Sequence, residues 1–145
     1  MMQSSHAREA DEPASVLNAA LLDQYRVRKN NLLERLINAY LEEAPRYHHA
    51  IRNAAERDQL DEIRSGAHAL KSCSHNLGAM RLSKVCQELE TGAIARDMAS
   101  VQASMLRIGP ECFDVEQALR SELLNLKRAA GVGQSAPDAF EKDWR

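Results

Sequence analysis

Aromatic side chains are scarce in this chain: one Trp, two Phe and three Tyr amount to 4% of the 145 residues. Its apolar content of 44% is carried mostly by Leu and Ala, which favour helix over sheet. Charge of one sign is lacking too. A formal net charge of −2 provides no basic field for nucleic acid, so no nucleic-acid partner is expected. No long uncharged run exists that could span a bilayer, and the opening MMQSSHAREADEP has no apolar core of a secretory signal. A soluble, cytoplasmic protein with no membrane association is expected. Cysteine is limited to Cys73, Cys86 and Cys112, an odd number, widely spaced and each among helical apolar positions. Buried reduced thiols are expected there rather than a disulfide frame or a zinc site. Also missing are a carboxylate pair, a Ser-His-Asp set, a glycine-rich phosphate loop and Cys-His metal spacing. The chain shows no ATP site and no metal site.

What is present is helical periodicity. The length suits one domain with one core. We read residues 1–13 as a disordered polar tail, 14–129 as the domain and 130–145 as a second tail, in which Phe140 and Trp144 are an aromatic pair that could dock but is read as solvent-exposed. Leu17, Ala20, Leu21 and Tyr25 suggest a short first helix. Leu33, Ile37, Tyr40, Ala44, His48, Ile51 and Ala55 step by three or four, interrupted by Pro45, which either kinks one helix or starts another. Asp58 is the expected N-cap of a helix with Asp61 and Glu62 in its first turn and a buried stripe of Ile63, Ala67, Leu70, Ser74 and Leu77. Gly78 stands where a helix-terminating glycine of positive φ belongs. Leu82, Val85, Cys86, Leu89 and Ala93 mark the next helix. Asp97 caps the last, which buries Val101, Met105, Ile108, Cys112, Val115, Leu119, Leu123 and Leu126, with a bend expected at Gly109-Pro110. The fold class is all-α: an antiparallel up-and-down four-helix bundle with an extra short N-terminal helix.

On the helix that opens after Asp58, the buried stripe leaves Arg64, His68, Lys71, Ser72 and His75 on or near the opposite side. His68 has no second histidine or carboxylate one turn away, as a helical metal site would need, but it has Arg64 behind it and Lys71 ahead. Cations beside an imidazole suit an anion such as a phosphoryl group. Two helices turning at Gly78-Ala79 bring Glu90 level with His68, and Gln87 about one turn nearer the loop. If Glu90 accepts a hydrogen bond from Nδ1–H, the Nε2 lone pair is free and His68 becomes a nucleophile. Ser72 is small enough to leave a partner room. His75 lies two turns on and is a candidate partner contact. His48 and His49 point to different sides of their helix, and Glu42-Glu43 reads as a solvated face.

These residues carry a resemblance. HALKSCSHNLGA, residues 68–79, resembles the phosphoacceptor signature of histidine phosphotransfer (HPt) domains, His-x-Leu-Lys-[Gly/Ser]-x-[Ser/Ala]-x-x-Leu-Gly-Ala, and RLSKVCQELE, 81–90, resembles the helix that follows it. The likeness spans about Asp58 to Glu90, with weaker similarity upstream in apolar spacing. Ser72 stands where the strictest pattern has Gly. The resemblance implies a phosphoryl carrier, not an enzyme, with His68 as phosphoacceptor between receiver-domain aspartates. It further implies that Lys71 assists the phosphoryl group, that Glu90 takes the Gln/Glu position bonded to the imidazole, and that Gly78 forms the turn. Its partners would be response-regulator receiver domains and a hybrid sensor histidine kinase. No cofactor would be bound by the chain, and Mg²⁺ would come with the receiver. Met1 ahead of a polar tail suggests a free-standing protein, expected to be a monomer. The alternative is a helical adaptor or inhibitor that binds a receiver without carrying phosphate.

Overall fold

The computed structural model describes residues 15–131. The two expected tails, with Phe140 and Trp144, lie outside or at the edge of the described residues. Within them the chain forms α1 (Ala19–Arg26), α2 (Leu32–Glu56), α3 (Leu60–Asn76), α4 (Met80–Ala95) and α5 (Met98–Ala129), with no strand among the described residues. Helix α2 packs on α3 and α5, and α4 packs on the same two, so the four long helices close a ring; α1 lies against α2. Neighbours run antiparallel. Tyr40 meets Ser74 between α2 and α3, Arg107 meets Glu88 between α5 and α4, and Lys127 approaches Glu34 between α5 and α2.

The apolar stripes meet inside the ring. Every residue expected inward on α3 and α4 is buried: Ile63, Ala67, Leu70 and Ser74 with Leu77 just beyond, then Leu82, Val85, Cys86, Leu89 and Ala93. Ser74 is tolerated there because its hydroxyl and that of Tyr40 hydrogen-bond at 3.3 Å, which spares both an unpaired polar atom in the core. On α1 the buried residue is Leu22, whereas Ala20 is exposed. Eight residues are too few for spacing alone to fix which face turns inward. On α2, His48 is half-buried at the rim and Ala54, rather than Ala55, is fully enclosed, as expected when a 3.6-residue period drifts along 25 residues. Pro45 lies inside that one helix, so it does not start another. Gly109 and Pro110 likewise fall within the continuous α5. Met105, Cys112 and Leu126 pack against the core while partly exposed.

The turns show one device repeated. Asp58 is not the N-cap of α3; Gln59 holds that place, with no side-chain cap bond. Instead Asp58 has φ +54° and ends α2, its N–H bonding to Ala55 O at 3.2 Å while that of Gln59 bonds to Ala54 O at 2.9 Å. This is a Schellman closure, and aspartate is among the few non-glycine residues that enter the left-handed region readily. Gly78, φ +73°, closes α3 in the same way, with Gly78 N bonded to His75 O and Ala79 N to Ser74 O, both at 2.9 Å. Asp97 caps α5 as expected: its carboxylate accepts from Ser100 N at 3.2 Å and Ser100 Oγ at 2.8 Å.

Candidate functional site

Because α3 and α4 diverge antiparallel from the Gly78 turn, residues equidistant from it meet across the pair. His68 faces Glu90, and Lys71 faces Gln87. His68 Nδ1 lies 3.0 Å from Glu90 Oε2, and Glu90 Oε1 accepts from Lys71 Nζ at 2.8 Å. The same Nζ donates to Gln87 Oε1 at 2.8 Å, and Gln87 Nε2 donates onward to Thr91 Oγ1 at 3.1 Å. One carboxylate thus grips an imidazole with one oxygen and an ammonium with the other.

Exposure is graded across this group. The His68 side chain is 60% exposed, that of Lys71 23% and that of Glu90 12%. Burial pushes the Glu90 carboxyl upward, but the hydrogen bonds from Lys71 and His68 outweigh it and hold the group below the ordinary carboxylate value. Glu90 is therefore ionised at neutral pH and can only accept. Nδ1 must then carry the hydrogen, and the lone pair of a neutral ring falls on Nε2, which has no bonding partner among the described residues. Nothing in this arrangement needs a second histidine. Among the described residues no three His, Cys, Asp or Glu side chains converge as a metal site would require.

The other expected residues spread around this centre. Arg64, one turn before His68, is exposed and makes no hydrogen bond or ion pair among the described residues. Ser72 and His75 are exposed and line an open groove with Lys71, Met80, Lys84 and Gln87 on the side towards the turn. Met80 is 42% exposed and is the apolar element of that groove. Gly78 is buried at the turn, an added Cβ there falling 2.6 Å from Asn18 Cβ.

Sequence reasoning placed Lys71 and Glu90 separately and missed that they pair. The equidistance that sets His68 against Glu90 also sets Lys71 against Gln87, so that contact had a signal. The Lys71–Glu90 bond joins residues not level with each other, and only the lysine stem's length and path reveal it. Met80 and Lys84 had no signal beyond lying off the buried stripe of α4.

The Hpt domain family matches residues 35–129. The chain belongs to that family, the histidine phosphotransfer domains of two-component signalling. Among solved structures it is similar to the crystal structure of histidine-containing phosphotransfer protein B (HptB) from Pseudomonas aeruginosa PAO1, with TM-score 0.71 and 21% identity over 76% of this chain and 96% of that one. At that identity the likeness is one of fold. No curated protein matches the chain.

Proposed function

We propose that this protein is a phosphoryl carrier that accepts the group on Nε2 of His68 from a phosphorylated receiver aspartate and passes it to another. The observation that carries the reading is the Glu90 contact at Nδ1, which leaves Nε2 as the nucleophilic nitrogen of an exposed ring. Accepting the group forms an Nε2–P bond as the aspartyl O–P bond breaks, and onward transfer reverses the exchange at a new carboxylate. Such a step has little covalent work for the protein beyond alignment and charge neutralisation. Lys71 Nζ, bonded to the same carboxylate as the ring and partly exposed, supplies a cation for the phosphoryl oxygens. Arg64 adds positive charge one turn away, and Ser72 leaves the approach open. The groove of Ser72, His75 and Gln87 belongs in this reading to the receiver's footprint.

Mg²⁺ is assigned to the receiver's acidic pocket. The partners are receiver domains and the hybrid sensor kinase that phosphorylates one of them, and the carrier acts as a cytoplasmic monomer. No helix among the described residues is long and apolar enough to cross a membrane.

Incubation with a phosphorylated receiver, followed by intact-mass measurement, tests the reading. The wild type gains one acid-labile phosphoryl group, and His68→Gln gains none while its helical circular dichroism and melting stay close to wild type, because an exposed side chain contributes little to the core. An adaptor would bind the receiver and gain nothing. Labelling retained by His68→Gln would overturn the assignment.

A further inference from the structure

The site carries a net arrangement of charge that a neutral acceptor at position 90 would not give. A glutamine there could accept the same bond from Nδ1–H, but only a carboxylate brings a negative charge to the ring. Glu90 Oε2 is 3.0 Å from Nδ1, its side chain is 12% exposed, and its other oxygen is held at 2.8 Å by Lys71. Glu90 of α4 bonds the imidazole itself, Lys71 of the ring's own helix bonds Glu90 and Gln87 of α4, and Arg64 stands one turn before His68 on α3. Helix α2, the other element packed on α3, brings no carboxylate within ion-pair distance of the ring. Glu90 is therefore the one anion at the ring among the described residues.

Resting on the phosphoacceptor reading, we infer that Glu90 keeps the phosphorylated ring of His68 in its cationic, Nδ1-protonated form and so acts as the positioning residue that sets how readily the group is given up. The chemistry follows from the electron balance. When neutral imidazole attacks phosphorus through Nε2, it becomes a phosphoimidazole that bears a positive charge and still holds its Nδ1 proton. When the Nε2–P bond breaks towards an aspartate oxygen, the electron pair returns to Nε2 and a neutral ring leaves, with no proton moved. Had Nδ1 lost its proton meanwhile, the leaving group would be an imidazolate anion, a far poorer one. A charged Glu90 favours the form from which transfer is fast. Lys71 serves the same end by keeping Glu90 ionised until the phosphoryl oxygens draw part of the ammonium's charge.

An opposite charge within about 4 Å displaces a titration by about 1–3 pH units. Glu90→Gln, close to isosteric, should therefore lower the titration midpoint of phosphorylated His68 by at least about one unit, read from the Nδ1 nitrogen shift after loading with phosphoramidate. Above both midpoints its transfer to a receiver should be about tenfold slower per unit of displacement, and in acid the two rate profiles should converge. Coincident midpoints, or a rate ratio that does not change with pH, overturn the inference while leaving the phosphoacceptor intact. If the wild type takes no phosphoryl group on His68, the phosphoacceptor reading itself fails, and this inference fails with it. The nitrogen shift reports the ring directly, so a merely structural effect of the substitution would not produce the displacement.

Discussion

Gly78 shows how one position can answer to two constraints. Its φ of +73° is the left-handed value that closes α3, and this alone would cost alanine about 1 kcal/mol. The backbone of Asn18, the N-cap of α1, also leans on it: an added Cβ would meet Asn18 Cβ at 2.6 Å and Asn18 N at 3.0 Å. Overpacking of this kind typically costs a further 1–3 kcal/mol or so, since the obstacle includes backbone. Gly78→Ala is therefore expected to lose more than about 2 kcal/mol in urea unfolding. A loss near 1 kcal/mol would mean that α1 moves aside freely and does not brace the turn. Tyr25 makes the second tie between the same parts, its hydroxyl donating to Asn76 O at 2.8 Å.

The helices are positioned by their ends and their polar seams as well as by their stripes. Arg81 on α4 reaches Glu111 at 3.1 Å and Asp114 at 3.2 Å on α5, and Arg107 on α5 returns to Glu88 at 2.6 Å. An exposed pair such as Arg107–Glu88 is worth at most about 1 kcal/mol, against roughly 2–5 kcal/mol for truncating one buried leucine, so it fixes alignment more than it stabilises, while Arg81 is part-buried and holds both Glu111 oxygens. The N-cap of α5 makes a pH-dependent contribution. The bonds from the Ser100 hydroxyl and backbone N–H hold the Asp97 carboxyl below its ordinary value. With the folded pKa depressed, this stabilisation is complete above the unfolded pKa of about 4 and disappears as pH falls through the folded value. Asp97→Asn keeps an acceptor but cannot titrate. The wild type should therefore melt above this variant at neutral pH, with the gap closing in acid. A gap of constant size from about pH 7 to about pH 2.5 would show that the charge plays no part.

Across the whole bundle, the level of Tyr40 collects thiols from three helices: Cys73 on α3, Cys86 on α4 and Cys112 on α5, all reduced. Burial is the leading cause of an upward displacement for each, taking Cys73 to about 11, Cys112 to about 12 and Cys86 further still. The thiolate is the reactive form, so at pH 8 a thiol of pKa 11 presents only about one part in a thousand of it, against roughly a quarter for a free cysteine. Iodoacetamide should label the native protein at least about a hundredfold more slowly than a free thiol and reach all three cysteines promptly in denaturant. Rapid labelling of the native protein would mean that the bundle opens locally at this level.

Much of this molecule was readable from the order of its residues, and the reason is the regularity of the helix. A period of 3.6 places Ile63, Ala67, Leu70 and Ser74 on one side and His68 on the other wherever the helix packs, and antiparallel pairing from a glycine turn sets Glu90 against His68 by counting alone. Asp97 as a cap and Gly78 as a left-handed terminator depend on local backbone chemistry, so both were legible too. Asp58 was misread because aspartate serves equally at a helix start and in a left-handed closure, and the winner depends on where α2 stops rather than on Asp58 itself. The burial of Leu22, the pressure of Asn18 on Gly78 and the bond between Lys71 and Glu90 came only from packing in three dimensions. Each joins groups whose spacing along the chain carries no period. Their distances are set by how far one helix leans on another and how far a side chain can reach.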